Sequence, residues 1–122
     1  MTRRKLLVVD DDEAVLDYLQ AKMGARYDLV STNSPEHVLK LAREHRPDLI
    51  LCDVDMPEMD GGDVSKALYD DAELREIPLL FITALMTPAD LKAKGGQIGG
   101  RPAISKSTPH AELVKKIESL TR

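Results

Sequence analysis

Three short runs of consecutive apolar residues constrain the fold of this chain more than any other feature. They cover residues 6–9, 49–52 and 79–82, and a polar residue follows each of them. Uninterrupted apolar runs of this length are typical of strands buried on both faces of a parallel sheet, although periodicity alone does not distinguish them from buried helix. Residues 27–32 and 103–105 are weaker strand candidates, as strands at sheet edges often are.

Amphipathic segments separate these strands, and three of them begin with a capping residue followed by proline. The pairs are Ser34-Pro35, Thr87-Pro88 and Thr108-Pro109. Two more helices are predicted, one ending at Gly24 and one following the glycine pair at 61–62. Five strands alternating with five helices indicate an α/β protein, a flavodoxin-like doubly wound parallel sheet in the order 2-1-3-4-5. We expect a single domain over residues 1–122.

Composition excludes several classes of protein. The single cysteine rules out an internal disulfide and fits a reducing compartment. No apolar run approaches the ~20 residues that span a bilayer, and the basic start of the chain is followed by too few apolar residues for a signal peptide. We therefore expect a cytoplasmic protein without membrane contact. A net charge of −4 and the lack of tryptophan argue against direct binding of nucleic acid by this domain.

Polar residues follow the central strands at the edge where the carboxyl ends of parallel strands meet. These residues are Asp10-Asp11-Asp12, Asp53, Thr83 and Ser105-Lys106. Each has an ordinary structural explanation when taken alone, such as a helix terminus, a turn or a solvated lysine. Together they place mutually repelling carboxylates, a hydroxyl and an ammonium at the topological switch point. Such a set suits Mg²⁺ and a nucleophilic Asp53 that forms an acyl phosphate, with Thr83 and Lys106 binding the phosphoryl oxygens.

Four blocks of sequence resemble the receiver domains of two-component response regulators. They are KLLVVDDDE at 5–13, PDLILCDVDMPEMDG at 47–61, FITA at 81–84 and ISK at 104–106. The resemblance covers essentially the whole chain. It implies that Asp53 is the phosphoacceptor and that Thr83 and Lys106 contact the phosphoryl group. It also implies a Mg²⁺ site in which Asp11 binds directly, Asp10 assists through water and the backbone carbonyl of Asp55 is a ligand. The expected metal residues are Asp10, Asp11, Asp53 and Asp55.

The resemblance further implies the partners of such a domain. The phosphoryl donor would be a sensor histidine kinase or a histidine phosphotransfer protein, and the output an unidentified protein target or output domain. The surface around the fourth helix, fifth strand and fifth helix would change on phosphorylation. We expect no turnover enzyme, because the chemistry would be limited to self-phosphotransfer and autodephosphorylation.

Three positions depart from the family pattern. Ser107 follows the lysine where the family usually has a proline with a cis peptide bond. We therefore expect a trans bond, which would affect how far Lys106 reaches toward the site. Ala103 stands where a tyrosine or phenylalanine usually takes part in switching. Asp55 adds a carboxylate beside the acceptor, and we expect its side chain to affect metal affinity or phosphate lifetime.

Three other functions are compatible with parts of the sequence. The Asp53-Val54-Asp55 sequence also fits the Asp-x-Asp signature of haloacid-dehalogenase-like phosphatases, although there it normally follows the first strand. A flavodoxin-like electron carrier is disfavoured because the Asp10-Asp11-Asp12 loop would repel a flavin phosphate. A receiver that has lost phosphorylation and acts only as a docking module is the third alternative.

Several other features are predicted to be structural. Residues 95–100 are glycine-rich, and we expect a flexible or lengthened loop there. Cys52 is expected in the core, and the three histidines (His37, His45 and His110) on the surface.

Overall fold

The structure, a computed structural model, describes residues 3–55 and 61–121. Its strands are β1 (Lys5–Val9), β2 (Asp28–Thr32), β3 (Leu49–Asp53), β4 (Leu79–Thr83), β5 (Gln97–Ile98) and β6 (Arg101–Ser105). Its helices are α1 (Glu13–Met23), α2 (Val38–His45), α3 (Gly61–Asp70), α4 (Pro88–Ala93) and α5 (His110–Leu120), with a 3-10 turn at Pro35–His37 before α2. None of the helices in these two ranges is long and apolar enough to cross a membrane.

The strands form a single sheet in the order β2-β1-β3-β4-β6-β5. The first five in that order pair in parallel, which confirms the predicted 2-1-3-4-5 arrangement with β6 as the predicted fifth strand. The register is nearly level, since Val9 pairs with Cys52 and Thr83 pairs with Ser105. The carboxyl ends of the strands therefore lie side by side at one edge.

Residues 95–100 are not the loop expected from their glycine content. β5 pairs with β6 in an antiparallel hairpin, with Ile98 opposite Arg101. Gly99 and Gly100 form the turn with φ angles of 57° and 80°. Tight hairpin turns favour positive φ at both central residues because this matches the twist of the strands, and glycine adopts it without steric cost. The sheet therefore has a sixth strand, which corrects the five-strand prediction.

The three predicted caps have different outcomes. Thr87 caps α4 with a full capping box, in which its hydroxyl accepts from the Asp90 N–H and the Asp90 carboxylate accepts from the Thr87 N–H. Ser34 precedes the 3-10 turn but makes no capping hydrogen bond. The predicted cap at Thr108 is wrong by one residue, because Pro109 is the N-cap of α5. The Thr108 N–H instead donates to the Ser105 carbonyl and belongs to the preceding turn.

Alternate residues of the central strands point into two apolar layers. One layer packs the sheet against α2, α3 and α4, and the other packs it against α1 and α5. Leu7 enters the first layer and Leu6 the second, and neither is more than 1% exposed. Burial on both faces explains why these strands are continuous apolar runs. Cys52 is fully buried in the first layer, as predicted.

Candidate functional site

The carboxylates that follow β1 and end β3 meet at the carboxyl edge of the sheet. Asp10 is 1% exposed and Asp53 is 3% exposed, while Asp11 is exposed. One carboxylate oxygen from each of the three lies within 4.8 Å of the others. Oxygen atoms this close repel one another strongly when ionised, so the cluster could hold a metal ion. Of the His, Cys, Asp and Glu side chains in the described residues, these three aspartates form the possible metal-binding cluster, which contains no histidine.

The acidic residues after β1 have different roles: Asp12 caps α1, whereas Asp10 belongs to the carboxylate cluster. Asp12 is the N-cap of α1, and its Oδ1 accepts from the Ala14 N–H at 2.9 Å. The Asp12 N–H in turn donates to Asp10 Oδ1 at 2.9 Å, which fixes the Asp10 carboxylate. Asp10 Oδ2 is buried and accepts no hydrogen bond from the described residues. The helix-terminus explanation thus holds for Asp12, whereas Asp10 turns inward.

Lys106 brings a positive charge to the two buried carboxylates. Its Nζ lies 2.8 Å from Asp10 Oδ2, an ion pair without the alignment of a hydrogen bond, and 3.5 Å from Asp53 Oδ2. Burial lowers the pKa of Lys106, but contact with Asp10 and Asp53 outweighs that effect and leaves the pKa above its usual value. The ammonium therefore stays charged and partly compensates the cluster.

The turn that carries Lys106 is held by hydrogen bonds. The peptide bond to Ser107 is trans, as predicted. The Ser107 N–H donates to Ser105 Oγ at 3.2 Å, and the two serine hydroxyls lie 2.8 Å apart. The Lys106 N–H donates to the Thr83 carbonyl at 2.7 Å. The lysine thus reaches the acidic cluster with serine in place of proline.

Asp53 has an unusually high pKa for an aspartate. Burial is the main reason that the pKa rises from 3.8 to about 6, and the charges of Asp10 and Asp55 act in the same direction. The Asp55 N–H, which donates to Asp53 Oδ1 at 3.2 Å, and the Lys106 ammonium oppose the rise. The carboxylate is therefore more basic than an exposed one.

Thr83 ends β4 at the same edge and is 2% exposed. Its hydroxyl donates to Asp55 Oδ2 at 3.1 Å and accepts from the Leu85 N–H at 3.1 Å. The sequence predicted that Asp55 contributes its carbonyl, and it gave no sign that the side chain binds Thr83. The residues Met56-Pro57-Glu58-Met59-Asp60 of the predicted phosphoacceptor segment lie outside the described residues.

Ala103 lies on β6 opposite Phe81 and is packed into the layer that contains α4. It is 7% exposed and has no side chain beyond Cβ that could rotate toward Thr83. His37 and His110 are exposed, in agreement with the surface prediction, and His45 is half-buried.

The chain belongs to the response regulator receiver domain family, whose model matches residues 6–118. It is 41% identical over 120 residues to the response regulator PleD of Caulobacter vibrioides, covering 97% of this chain and 26% of PleD. It therefore spans about a quarter of the length of that relative. It is also 36% identical over 117 residues to the polar-differentiation response regulator DivK of Brucella anthropi, covering 95% of this chain and 94% of DivK.

Among solved structures, the fold is similar to that of the chemotaxis protein CheY4 of Vibrio cholerae. The TM-score is 0.80 with 25% sequence identity, and the match covers 98% of this chain and 99% of that one. These comparisons confirm the resemblance to two-component receivers and the flavodoxin-like fold. They favour a receiver over the phosphatase and the electron carrier.

Proposed function

We propose that Asp53 accepts a phosphoryl group in a Mg²⁺-dependent reaction, and that residues 1–122 act as one phosphorylation-controlled receiver. The donor is the phosphohistidine of a sensor histidine kinase or a histidine phosphotransfer protein. The observation that carries the proposal is the convergence of three carboxylates and the Lys106 ammonium at one sheet edge. The downstream target is a protein or an output domain.

The described residues fit a magnesium ion. Asp10 Oδ2 is a buried oxygen paired with the Lys106 ammonium without an aligned hydrogen bond, and the clustered carboxylates supply the hard oxygen ligands that Mg²⁺ prefers. Asp11 and Asp53 would bind the ion directly, Asp10 through water, and Asp55 through its backbone carbonyl. When bound, Mg²⁺ supplies positive charge that neutralises the carboxylates and holds a phosphoryl oxygen.

The nucleophile in this proposal is Asp53 Oδ2. Oδ1 is engaged by the Asp55 N–H, whereas Oδ2 faces Lys106. Oδ2 attacks phosphorus and forms an O–P bond, while the P–N bond breaks and the donor histidine, protonated on its other nitrogen, leaves as neutral imidazole. Without a metal ion, a pKa of about 6 leaves Asp53 largely ionised at neutral pH, and a bound Mg²⁺ would favour the ionised, nucleophilic form further.

Lys106 and Thr83 bind the transferred group in the proposal. The Lys106 ammonium is already 3.5 Å from Asp53 Oδ2 and needs little movement to reach an oxygen of the phosphoryl group. Thr83 offers a single hydroxyl proton to another oxygen. Phosphoryl transfer depends mainly on positioning and charge stabilisation, and these residues provide both.

The test is intact-protein mass spectrometry after incubation with acetyl phosphate and Mg²⁺. We expect one phosphoryl adduct on the wild type, none on Asp53→Asn, and none when EDTA replaces Mg²⁺. Asp17→Asn, which removes an exposed carboxylate on α1, is the matched control and should accept phosphate normally.

Three results would contradict the proposal. An adduct that persists on Asp53→Asn would place the acceptor elsewhere. A protein that binds Mg²⁺ but forms no adduct would instead favour the docking module. Rapid release of phosphate from unrelated phosphate esters would indicate a phosphatase.

A further inference from the structure

The Thr83 hydroxyl is fully committed within the described structure. It has one proton to donate, and that proton goes to Asp55 Oδ2 at 3.1 Å. Its oxygen accepts from the Leu85 N–H at 3.1 Å, which fixes the orientation of the hydroxyl at the end of β4. Thr83 is 2% exposed, so water does not readily replace Asp55 as the acceptor.

We propose that Asp55 is a latch that holds the Thr83 hydroxyl and must release it when Asp53 carries a phosphoryl group. The inference rests on the proposed function and adds a regulatory role for the Asp55 side chain. A phosphoryl oxygen that binds Thr83 needs the same single proton that Asp55 now accepts. The two acceptors therefore compete, and both cannot be satisfied at once.

Charge makes the competition stronger. The Asp55 N–H donates to Asp53 Oδ1 at 3.2 Å, so the backbone keeps Asp55 next to the acceptor. A phosphoryl group on Asp53 brings further negative charge to the same place and repels the Asp55 carboxylate.

The released side chain has space to move. Asp55 is exposed, and it borders a cleft of about 340 Å³ that is also lined by Lys94, Gln97 and Gly99. Rotation of Asp55 into this cleft would bring its carboxylate toward Lys94 and the β5–β6 hairpin, which line the same space. Ala103 has no side chain that could follow Thr83, so the latch does not depend on a movement of residue 103.

A merely structural contact between Asp55 and Thr83 makes a different prediction. In that case Asp55 would influence the phosphoryl group by charge alone, whether or not residue 83 has a hydroxyl. A double-mutant cycle separates the two cases, because it isolates the part of the effect that needs both side chains.

The experiment titrates beryllofluoride, a phosphoryl analogue, in saturating Mg²⁺ and follows binding by NMR. The four proteins are the wild type, Asp55→Ala, Thr83→Val and the double variant. We expect Asp55→Ala to tighten binding, and to do so about fivefold more with Thr83 present than with Val at that position, a difference typical of one hydrogen bond. Asp55→Asn keeps an acceptor oxygen but loses the charge, so its affinity should lie between those of the wild type and Asp55→Ala.

An equal gain in both backgrounds would overturn the latch and leave repulsion alone. Solvent exchange of the Thr83 hydroxyl proton in the unliganded protein gives a second readout. The Leu85 N–H holds the Thr83 oxygen in both proteins, so only the proton loses its acceptor in Asp55→Ala, and a latch predicts slower exchange in the wild type than in this variant. Equal exchange rates would also overturn it. If beryllofluoride fails to bind even the wild type, the proposed function fails, and the hydroxyl exchange still reports whether Asp55 holds Thr83. Thr83→Ala replaces Thr83→Val if the latter does not fold.

Discussion

The ammonium of Lys106 lies 2.8 Å from the buried carboxylate of Asp10. In the absence of a metal ion, Lys106 is therefore the counterion of the most buried acid in the cluster, and its distance to Asp53 is longer, at 3.5 Å. A divalent cation among the carboxylates would take over this role. The same lysine would then be available to a phosphoryl group.

Lys106→Met should destabilise the metal-free protein. Removing one partner leaves the Asp10 charge buried without compensation, but Lys106 is 22% exposed, so we expect a loss of about 1–3 kcal/mol in the free energy of unfolding. Urea unfolding in EDTA measures this loss, and saturating Mg²⁺ should reduce it. Lys66→Met is the control, because Lys66 pairs with Asp70 on the exposed face of α3 and its loss should cost much less than the loss of Lys106. Equal losses for the two variants would contradict the assignment.

Asp53→Asn should stabilise the metal-free protein, and the gain should depend on pH. The pKa of Asp53 is about 6 in the folded protein against an ordinary value of 3.8, so the native state binds more protons in that interval. The free energy of unfolding of the wild type therefore falls as the pH rises from about 4 to about 6. We expect Asn to gain about 1–3 kcal/mol near pH 8 and nothing near pH 4.

Chemical unfolding of both proteins in EDTA across this range measures the difference. Asp17→Asn, on the exposed face of α1, is the matched control for loss of a carboxylate. A constant offset between Asp53→Asn and the wild type at all pH values would rule out a raised pKa at Asp53.

Thr87→Ala should weaken α4 more than Ser34→Ala weakens the turn before α2. Thr87 makes both bonds of a capping box, whereas Ser34 occupies an N-cap position without a capping hydrogen bond. We expect a loss of about 1 kcal/mol for Thr87→Ala and a clearly smaller one for Ser34→Ala. Amide hydrogen exchange of residues 89–93 should accelerate only in the Thr87 variant. Similar protection in both variants would show that the box does not stabilise this six-residue helix.

Gly99→Ala should destabilise the β5–β6 hairpin through its backbone alone. Gly99 has a φ of +57°, and a Cβ built there has no neighbour within 4 Å, so no clash contributes. We expect a cost of about 1 kcal/mol, and a smaller cost for Gly99→Asn because asparagine tolerates this conformation in hairpin turns. Thermal or urea unfolding compares the two variants. Equal costs would indicate that positive φ is not what Gly99 provides.

Much of the fold could be predicted because strands that are buried on both faces of the sheet have uninterrupted apolar sequences. The runs at 6–9, 49–52 and 79–82 became β1, β3 and β4 with only small changes at their ends. β5 left no such trace, since a two-residue strand has no periodicity and its flanking glycines are equally typical of loops. Its formation depends on the φ angles of the turn, which composition does not reveal.

The site followed from topology, because parallel strands bring their carboxyl ends together whatever the helices do. That argument placed Asp10, Asp53 and Lys106 in one cluster. It could not place the contact between Asp55 and Thr83, which depends on a side-chain rotamer in the segment after β3. Strand order determines which residues are neighbours, but it does not determine which of their side chains form hydrogen bonds with each other.

The hairpin also changes how this sheet ends. Without β5, the outer edge of β6 would offer free backbone N–H and C=O groups to another chain. β5 covers the start of β6, where Pro102 lacks an N–H in any case, and it is itself only two residues long. A strand this short gives an incoming chain little to pair with, so we expect this edge to resist intermolecular strand addition and aggregation at high protein concentration.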